Sequence, residues 1–126
     1  MGLQNTQTRL PKQLPSFLLT NLRGFGLPGK SDKPEDLNFV LSSNSVDVAV
    51  LTETWATDDT ISDLDFKEYT MFHSIRRKCK KPSGGVSIFI KSGIPASETT
   101  INVPGHLEVI YIFILPKWLP SHFQIF

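Results

Sequence analysis

The stretch from Val46 to Trp55, VDVAVLTETW, constrains the fold of this chain more than any other segment. Alternate residues of a strand point to opposite faces, and after Asp47 this one is apolar or nearly so on both faces. Such a pattern is typical of a central strand in a sheet that is covered on both sides. Glu53 follows at its carboxyl end, where a carboxylate that loses water needs hydrogen-bond donors, a cation or a metal beside it.

An apolar run from Phe17 to Asn21 predicts an earlier strand, because a loop rich in glycine and proline follows it. Between the two strands, residues 32–44 predict a helix. A strand, a helix and a strand in this order form a βαβ unit, in which the two strands are parallel. We therefore expect Asn21 and Glu53 to end their strands at the same edge of the sheet.

The helix prediction rests on the residues at its ends and on the spacing between them. Asp32 is expected to cap the helix, with Pro34 in the first turn and Glu35 placed to complete a capping box. Asn44 is expected to close it in a left-handed conformation. Three apolar residues at helical spacing form the predicted inward stripe: Leu37, Val40 and Leu41.

The rest of the chain predicts a polar, acidic surface loop over residues 55–67 and then several strands. These strands are Tyr69 to Ile75, Gly85 to Lys91, Glu98 to Ile101, Val109 to Leu115 and the start of one more at Phe123 to Phe126. Val109 to Leu115 is apolar on both faces, so we expect another central strand there.

The predicted hairpin loop between the first two of these strands holds a dense basic patch: Arg76, Arg77, Lys78, Lys80 and Lys81. A solvated hairpin tip accounts for this patch, and contact with a nucleic-acid backbone is the alternative. The whole chain gives no such bias, because its 13 basic and 12 acidic residues leave a net charge of +1.

Residues 1–16 are polar and carry two prolines, which predicts a flexible leader before a single domain over residues 17–126. The leader lacks the apolar core of a secretory signal, although Gly2 and Thr6 fit the myristoylation pattern. The longest apolar run is too short to span a bilayer, so we expect no membrane partner. A single cysteine, Cys79, excludes an internal disulfide and favours an intracellular location in the cytoplasm or nucleus.

Asn21 and Glu53, meeting at one edge of an α/β sheet, would offer an amide and a carboxylate oxygen where ligands of such sheets bind. Hard oxygen ligands of this kind suit Mg²⁺ and a phosphate group rather than zinc. Local roles are the alternative. Glu53 could accept hydrogen bonds from backbone N–H groups, and Asn21 could cap its own strand.

The order of three segments resembles the first half of the endonuclease/exonuclease/phosphatase family. They are TNLR (Thr20 to Arg23), DVAVLTETW (Asp47 to Trp55) and SGGVSIFI (Ser83 to Ile90). The match is closest to the reverse-transcriptase-associated endonuclease domains of non-LTR (LINE-type) retrotransposons, and it covers the chain from Phe17 onward. The resemblance implies an α/β fold, a sandwich of two β-sheets with helices outside, of which residues 17–126 would form an incomplete domain truncated after roughly its first half.

The resemblance also implies Mg²⁺-dependent hydrolysis of a phosphodiester in DNA, with no small-molecule cofactor. By the same resemblance, Glu53 is the acidic metal ligand, and Asn21 helps to bind the metal or the scissile phosphate. The family's later tyrosine strand, its Asp-x-Asn motif and its Ser-Asp-His motif have no counterpart within the 126 residues. We therefore expect a fragment of the endonuclease without turnover of its own. A non-catalytic nucleic-acid-binding remnant, or a relative acting on another phosphate ester, is the alternative.

Overall fold

The computed structural model describes residues 14–26, 31–76, 83–105 and 107–114. Within them the helices and strands follow in this order: β1 (Phe17–Asn21), α1 (Lys33–Ser43), β2 (Val48–Thr52), α2 (Asp58–Asp63), β3 (Tyr69–Ser74), β4 (Val86–Lys91), β5 (Ala96–Thr99) and β6 (Tyr111–Ile114). The strands form two separate sheets, so the predicted α/β class with two β-sheets is confirmed. Residues 1–13 of the predicted leader, which was residues 1–16, and the segment Phe123 to Phe126 lie outside the described residues.

The larger sheet has four strands in the order β1-β2-β4-β3. β1 and β2 are parallel, as the βαβ prediction requires, and β4 runs antiparallel to both β2 and β3. β2 is therefore a central strand, and Val48, Ala49 and Leu51 on it are buried. The polar residue within this apolar stretch, Asp47, is also buried, and it accepts a hydrogen bond of 2.8 Å from the Ser16 N–H.

The hydrophobic core lies between the two helices and one face of the four-stranded sheet. The sheet contributes Ala49, Leu51 and Phe89 to it, and the helix α1 contributes Leu37 and Leu41. The opposite face of the sheet is more open, because two of its apolar residues on β1, Phe17 and Leu19, are 58% and 73% exposed. The main core cluster therefore lies on one face of the sheet, although Val48 and Ile90 on the opposite face are also buried.

The helix α1 forms where the sequence predicted it, but its ends differ. Asp32 stands at the N-cap without a side-chain hydrogen bond to the helix, so the predicted capping box is wrong. Asn44 is not left-handed; with φ at 50°, the next residue, Ser45, takes that conformation. Val40 is exposed while Leu37 and Leu41 are buried, so the inward stripe is narrower than predicted.

The predicted surface loop over residues 55–67 contains a short helix, α2. The Thr57 side chain caps it by accepting a hydrogen bond of 3.2 Å from the Thr60 N–H. After the helix, Phe66 is buried in the core beside Phe89, with ring centroids 4.7 Å apart. The acidic composition led to the prediction of a loop here, although Thr57 followed by Asp58 and Asp59 is typical of a helix N-terminus.

The strand predicted over Val109 to Leu115 is shorter, Tyr111–Ile114, and it is not central. Within the described residues it pairs only with β5, in an antiparallel two-stranded sheet. Its residues are exposed or half-buried. The prediction of a buried central strand was therefore wrong. An apolar sequence favours burial, but whether a strand is buried depends on the strands and helices that pack beside it.

His73 on β3 carries a partly buried ring on the core side of the sheet. Its Nδ1 lies 2.6 Å from the Ser87 hydroxyl, its ring stands edge-on to Phe89, and its Nε2 is buried without a hydrogen-bond partner in the described structure. Burial lowers the pKa of His73 below its ordinary value of 6.5. The folded state therefore favours the neutral ring.

We expect the free energy of unfolding to fall as the pH drops from 6.5 toward the lowered pKa of His73. In that window the unfolded chain binds a proton that the folded chain does not, so stability rises with pH. Denaturant unfolding at several pH values between 8 and 5 measures the effect. The variant His73→Gln should show a flatter dependence over this window, and equal slopes for the two proteins would contradict the prediction.

Candidate active site

Asn21 and Glu53 end neighbouring parallel strands at one edge of the larger sheet. Asn21 is in register with Thr52, the residue before Glu53. The pairing continues past both strands, since the Leu22 N–H donates to the Thr52 carbonyl at 2.9 Å and the Gly24 N–H to the Glu53 carbonyl at 2.7 Å. The structure therefore brings the two predicted residues to the same edge.

The carboxylate of Glu53 is held through one of its two oxygens. Oε2 accepts hydrogen bonds from the Trp55 indole N–H at 2.8 Å and from the Gly84 backbone N–H at 3.4 Å. Oε1 accepts none from the described part of the chain. Fixing one oxygen of a carboxylate while leaving the other available is how proteins orient an acidic metal ligand.

The backbone that carries this carboxylate adopts an uncommon conformation. Glu53 and Trp55 have φ angles of 51° and 52°, in the left-handed region that residues other than glycine seldom occupy. Two hydrogen bonds to the segment before β4 hold this turn. The Thr54 N–H donates to the Gly85 carbonyl at 3.3 Å, and the Trp55 N–H donates to the Gly84 carbonyl at 2.8 Å. Such strain persists where the surroundings enforce it, and it is common at functional sites.

Two glycines allow this close packing. A Cβ added to Gly85 would lie 2.5 Å from the Thr54 hydroxyl, and one added to Gly24 would lie 2.2 Å from the Trp55 ring. The Trp55 side chain lies over Gly24 and is still 38% exposed. Gly24 of the RGFG segment and Gly85 of the SGGV segment therefore have a local packing role beside Glu53.

Asn21 has a local role that the sequence left open. Its Oδ1 accepts a hydrogen bond of 3.1 Å from the Arg23 N–H, two residues further along the chain. An amide oxygen has two lone pairs, so this bond leaves room for a second partner. The capping role is observed, and the role of Asn21 as a ligand stays a prediction.

Of the basic patch, the structure describes Arg76, and its other four members lie outside the described residues. Arg76 binds Glu108 with both arms of its guanidinium, Nε to Oε2 at 2.6 Å and Nη2 to Oε1 at 3.1 Å. This bonding lowers the pKa of the Glu108 carboxyl. Arg76 is therefore engaged within the protein, and the contact of the patch with nucleic acid stays a prediction.

Glu108 was missed by sequence reasoning, although its Oε1 also accepts a hydrogen bond of 3.2 Å from the Gly85 N–H. It lies far from the SGGV segment along the chain, between two predicted strands, and no local motif marks it. A pairing of Arg76 with a particular carboxylate 32 residues away is visible only in three dimensions.

Glu53 and Asn21 have the ligand type that Mg²⁺ prefers. Glu53 and Asn21 offer hard oxygen ligands, and Mg²⁺ usually keeps several waters and takes only one or two protein carboxylates. Among the described residues, no group of three or more His, Cys, Asp or Glu side chains could hold a metal ion. Any metal held here would therefore depend on Glu53, with Asn21 and water completing the shell.

No protein-family model matches the chain, and no curated protein matches it. Among solved structures, it is similar to the catalytic domain of APE2 from Xenopus laevis, with 24% sequence identity and a TM-score of 0.48. The match covers 65% of this chain and 26% of that chain, so it spans about a quarter of that structure. Within the described residues, no helix is long and apolar enough to cross a membrane.

Proposed function

We propose that this chain is the amino-terminal part of a Mg²⁺-dependent, phosphodiester-cleaving DNA endonuclease of the retrotransposon type. The observation that carries the proposal is the orientation of Glu53. Its Oε2 is held by the Trp55 indole and the Gly84 N–H at the edge where β1 and β2 end. The LTETW and SGGV segments that create this arrangement are the ones that carry the family resemblance.

In this proposal Glu53 and Asn21 would hold the metal ion, which when bound would supply positive charge against the negative charge that develops on the phosphate. The chain's own contribution is orientation. The Trp55 indole N–H and the Gly84 N–H fix the rotamer of the Glu53 carboxylate, and the Arg23 N–H fixes the amide of Asn21. Oriented ligands of this kind bind metal with less loss of side-chain entropy.

Metal binding by the purified chain tests this proposal. We expect Mg²⁺ and Mn²⁺ to bind weakly, with a Kd on the order of millimolar, because two protein ligands leave most of the shell to water. Glu53→Gln should weaken binding at least about tenfold, because a neutral amide replaces the charged ligand. Glu98→Gln, which removes an exposed negative charge on β5, is the matched control and should bind like the wild type.

Calorimetric or Mn²⁺ spectroscopic titration measures these affinities. Equal affinity for the wild type and Glu53→Gln would contradict the proposed site. A plasmid-nicking assay with Mg²⁺ accompanies the titration, and we expect no turnover from these 126 residues alone. Robust nicking that Glu53→Gln abolishes would support the site and would show that the expected lack of turnover is wrong.

A non-catalytic nucleic-acid-binding role is the second candidate, and the basic patch of the β3–β4 loop favours it. Because Arg76 is engaged by Glu108, this role would depend on Arg77, Lys78, Lys80 and Lys81. Binding of this kind releases counterions from DNA and weakens steeply with salt. Absent or salt-insensitive binding to a DNA duplex would eliminate this candidate.

A further inference from the structure

Glu108 and Arg76 are joined to the turn that holds Glu53. Besides its two bonds to Arg76, Glu108 accepts the Gly85 N–H at 3.2 Å. Arg76 also packs against the neighbouring glycine, since a Cβ on Gly84 would lie 2.5 Å from the guanidinium carbon. The ion pair therefore contacts both glycines of the SGGV segment. Arg76 packs against Gly84, and Glu108 accepts a hydrogen bond from Gly85.

The same two glycines contact the Glu53 turn from the other side. The Gly84 N–H donates to Glu53 Oε2, and the Gly84 carbonyl accepts the Trp55 N–H at 2.8 Å. The Gly85 carbonyl accepts the Thr54 N–H at 3.3 Å. A chain of direct contacts thus runs from the Arg76–Glu108 pair through Gly84 and Gly85 to the carboxylate of Glu53.

We propose that Glu108, paired with Arg76, is a positioning residue for the metal ligand Glu53. The inference rests on the proposed function, because it assigns Glu108 to the support of that same site. Gly84 and Gly85 have φ angles of 66° and 88°, a conformation that glycine adopts readily but does not maintain by itself. The bidentate pair supplies the restraint, since two parallel charge-assisted hydrogen bonds fix the segment after β3 against the segment before β6.

The pair is partly exposed, with 43% of the Arg76 side chain and 20% of the Glu108 side chain accessible to solvent. An exposed ion pair by itself contributes little to stability, because solvent and salt screen it. Here Glu108 Oε1 serves the Arg76 guanidinium and the Gly85 backbone at once. Loss of Glu108 therefore removes the acceptor of the Gly85 N–H and one partner of Arg76. Both changes occur next to Gly84, whose N–H donates to Glu53.

Two variants of Glu108 separate charge from hydrogen bonding. Glu108→Gln keeps an acceptor for the Gly85 N–H and loses the charged pair, whereas Glu108→Ala loses both. We expect Mn²⁺ affinity to fall about tenfold in Glu108→Ala and less in Glu108→Gln, as is typical when a group that orients a metal ligand is removed. Arg76→Ala should resemble Glu108→Gln, because it breaks the pair but leaves the Glu108 carboxylate to accept the Gly85 N–H. The double variant Arg76→Ala/Glu108→Ala should bind no more weakly than Glu108→Ala, because both substitutions break the same pair.

The indole N–H resonance of Trp55 gives a readout that is independent of metal. It reports the hydrogen bond to Glu53 Oε2, and the substitution Trp118→Phe as background leaves a single indole signal to follow. In Glu108→Ala we expect this signal to move toward its position in Glu53→Gln and its exchange with solvent to become faster. Glu98→Gln is the charge control and should leave both the affinity and the signal unchanged.

The outcomes distinguish the two proposals. If the wild type binds metal through Glu53, while Glu108→Ala leaves both the affinity and the indole signal unchanged, the positioning role of Glu108 is overturned and the proposed site stands. If metal binding does not depend on Glu53 but the indole signal still moves in Glu108→Ala, the proposed function fails and the structural coupling stands. Both readouts changing together, with denaturant midpoints near that of the wild type, supports the positioning role.

Discussion

Replacing Phe89 with alanine is expected to lower the free energy of unfolding by about 3–5 kcal/mol, the cost typical of a large cavity in a packed core. Phe89 is fully buried on the central strand β4. Its ring contacts those of Phe25, Phe66 and His73, with centroid distances of 6.5, 4.7 and 6.0 Å. The residue thus joins the loop after β1, the segment after α2 and the strand β3, and no neighbour can replace its volume.

Denaturant unfolding followed by far-ultraviolet circular dichroism measures the loss. Phe39→Ala is the matched control, because Phe39 lies on α1 with 71% of its surface exposed. That substitution should change stability by less than about 0.5 kcal/mol, as surface substitutions usually do. Similar losses for the two phenylalanines would mean that the described core is not the one that stabilises the chain.

The second large effect is expected for Gly85→Ala, at roughly 2–5 kcal/mol, from a left-handed backbone together with overpacking. Gly85 has a φ angle of 88°, and an added Cβ would lie 2.5 Å from the Thr54 hydroxyl. Thr54 is fully buried and lies between Glu53 and Trp55, both of which are themselves left-handed. The turn has little freedom to move away, so the substitution should also disturb the hydrogen bond between Trp55 and Glu53.

Gly93→Ala separates the two components of this cost. Gly93 has a similar φ angle of 97°, but an added Cβ would meet no atom within 4 Å. Its substitution should therefore cost only the conformational part, about 1–2 kcal/mol. The excess loss in Gly85→Ala measures the steric part, and an equal loss in both variants would argue against the close contact between Gly85 and Thr54.

The sequence predicted the part of the fold that depends on local pattern and chain order. The bounds of β1 agree with prediction, and β2, β3 and β4 lie within a few residues of the predicted strands. The parallel pairing of β1 with β2 followed from the helix between them, and it placed Asn21 beside Thr52. The direction of this pairing was predictable because a strand–helix–strand unit makes its two strands parallel.

The failures occurred where two local preferences compete or where burial depends on distant partners. Asn44 and Ser45 both tolerate a left-handed conformation, and the structure gives it to Ser45. Residues 55–67 are acidic enough to predict a loop, yet Thr57 caps the helix α2 there. The apolar run in β6 indicated a central strand, but in the described structure only β5 pairs with it.

The placement of Asn21 and Glu53 at one edge of the sheet was predicted from the sequence, but the contacts that orient Glu53 were not. Asn21 and Glu53 follow from strand order, because each is the polar residue at the end of an apolar run. The hydrogen bonds from Trp55 and Gly84 to Glu53 depend on the left-handed conformations of Glu53 and Trp55, which no pattern in the sequence predicted. The pairing of Arg76 with Glu108 joins segments 32 residues apart, and no local pattern in the sequence predicts which carboxylate Arg76 contacts.

The most direct test of the account is to map where a divalent cation binds, using the line broadening that Mn²⁺ causes in the amide spectrum of the folded chain. We expect broadening at low Mn²⁺ to centre on residues 21–24, 52–55 and 84–85, and to disappear from this edge in Glu53→Gln. Broadening centred on the opposite edge of the sheet, around residues 92–94, or unchanged by Glu53→Gln, would contradict the claim that Asn21 and Glu53 form a metal site.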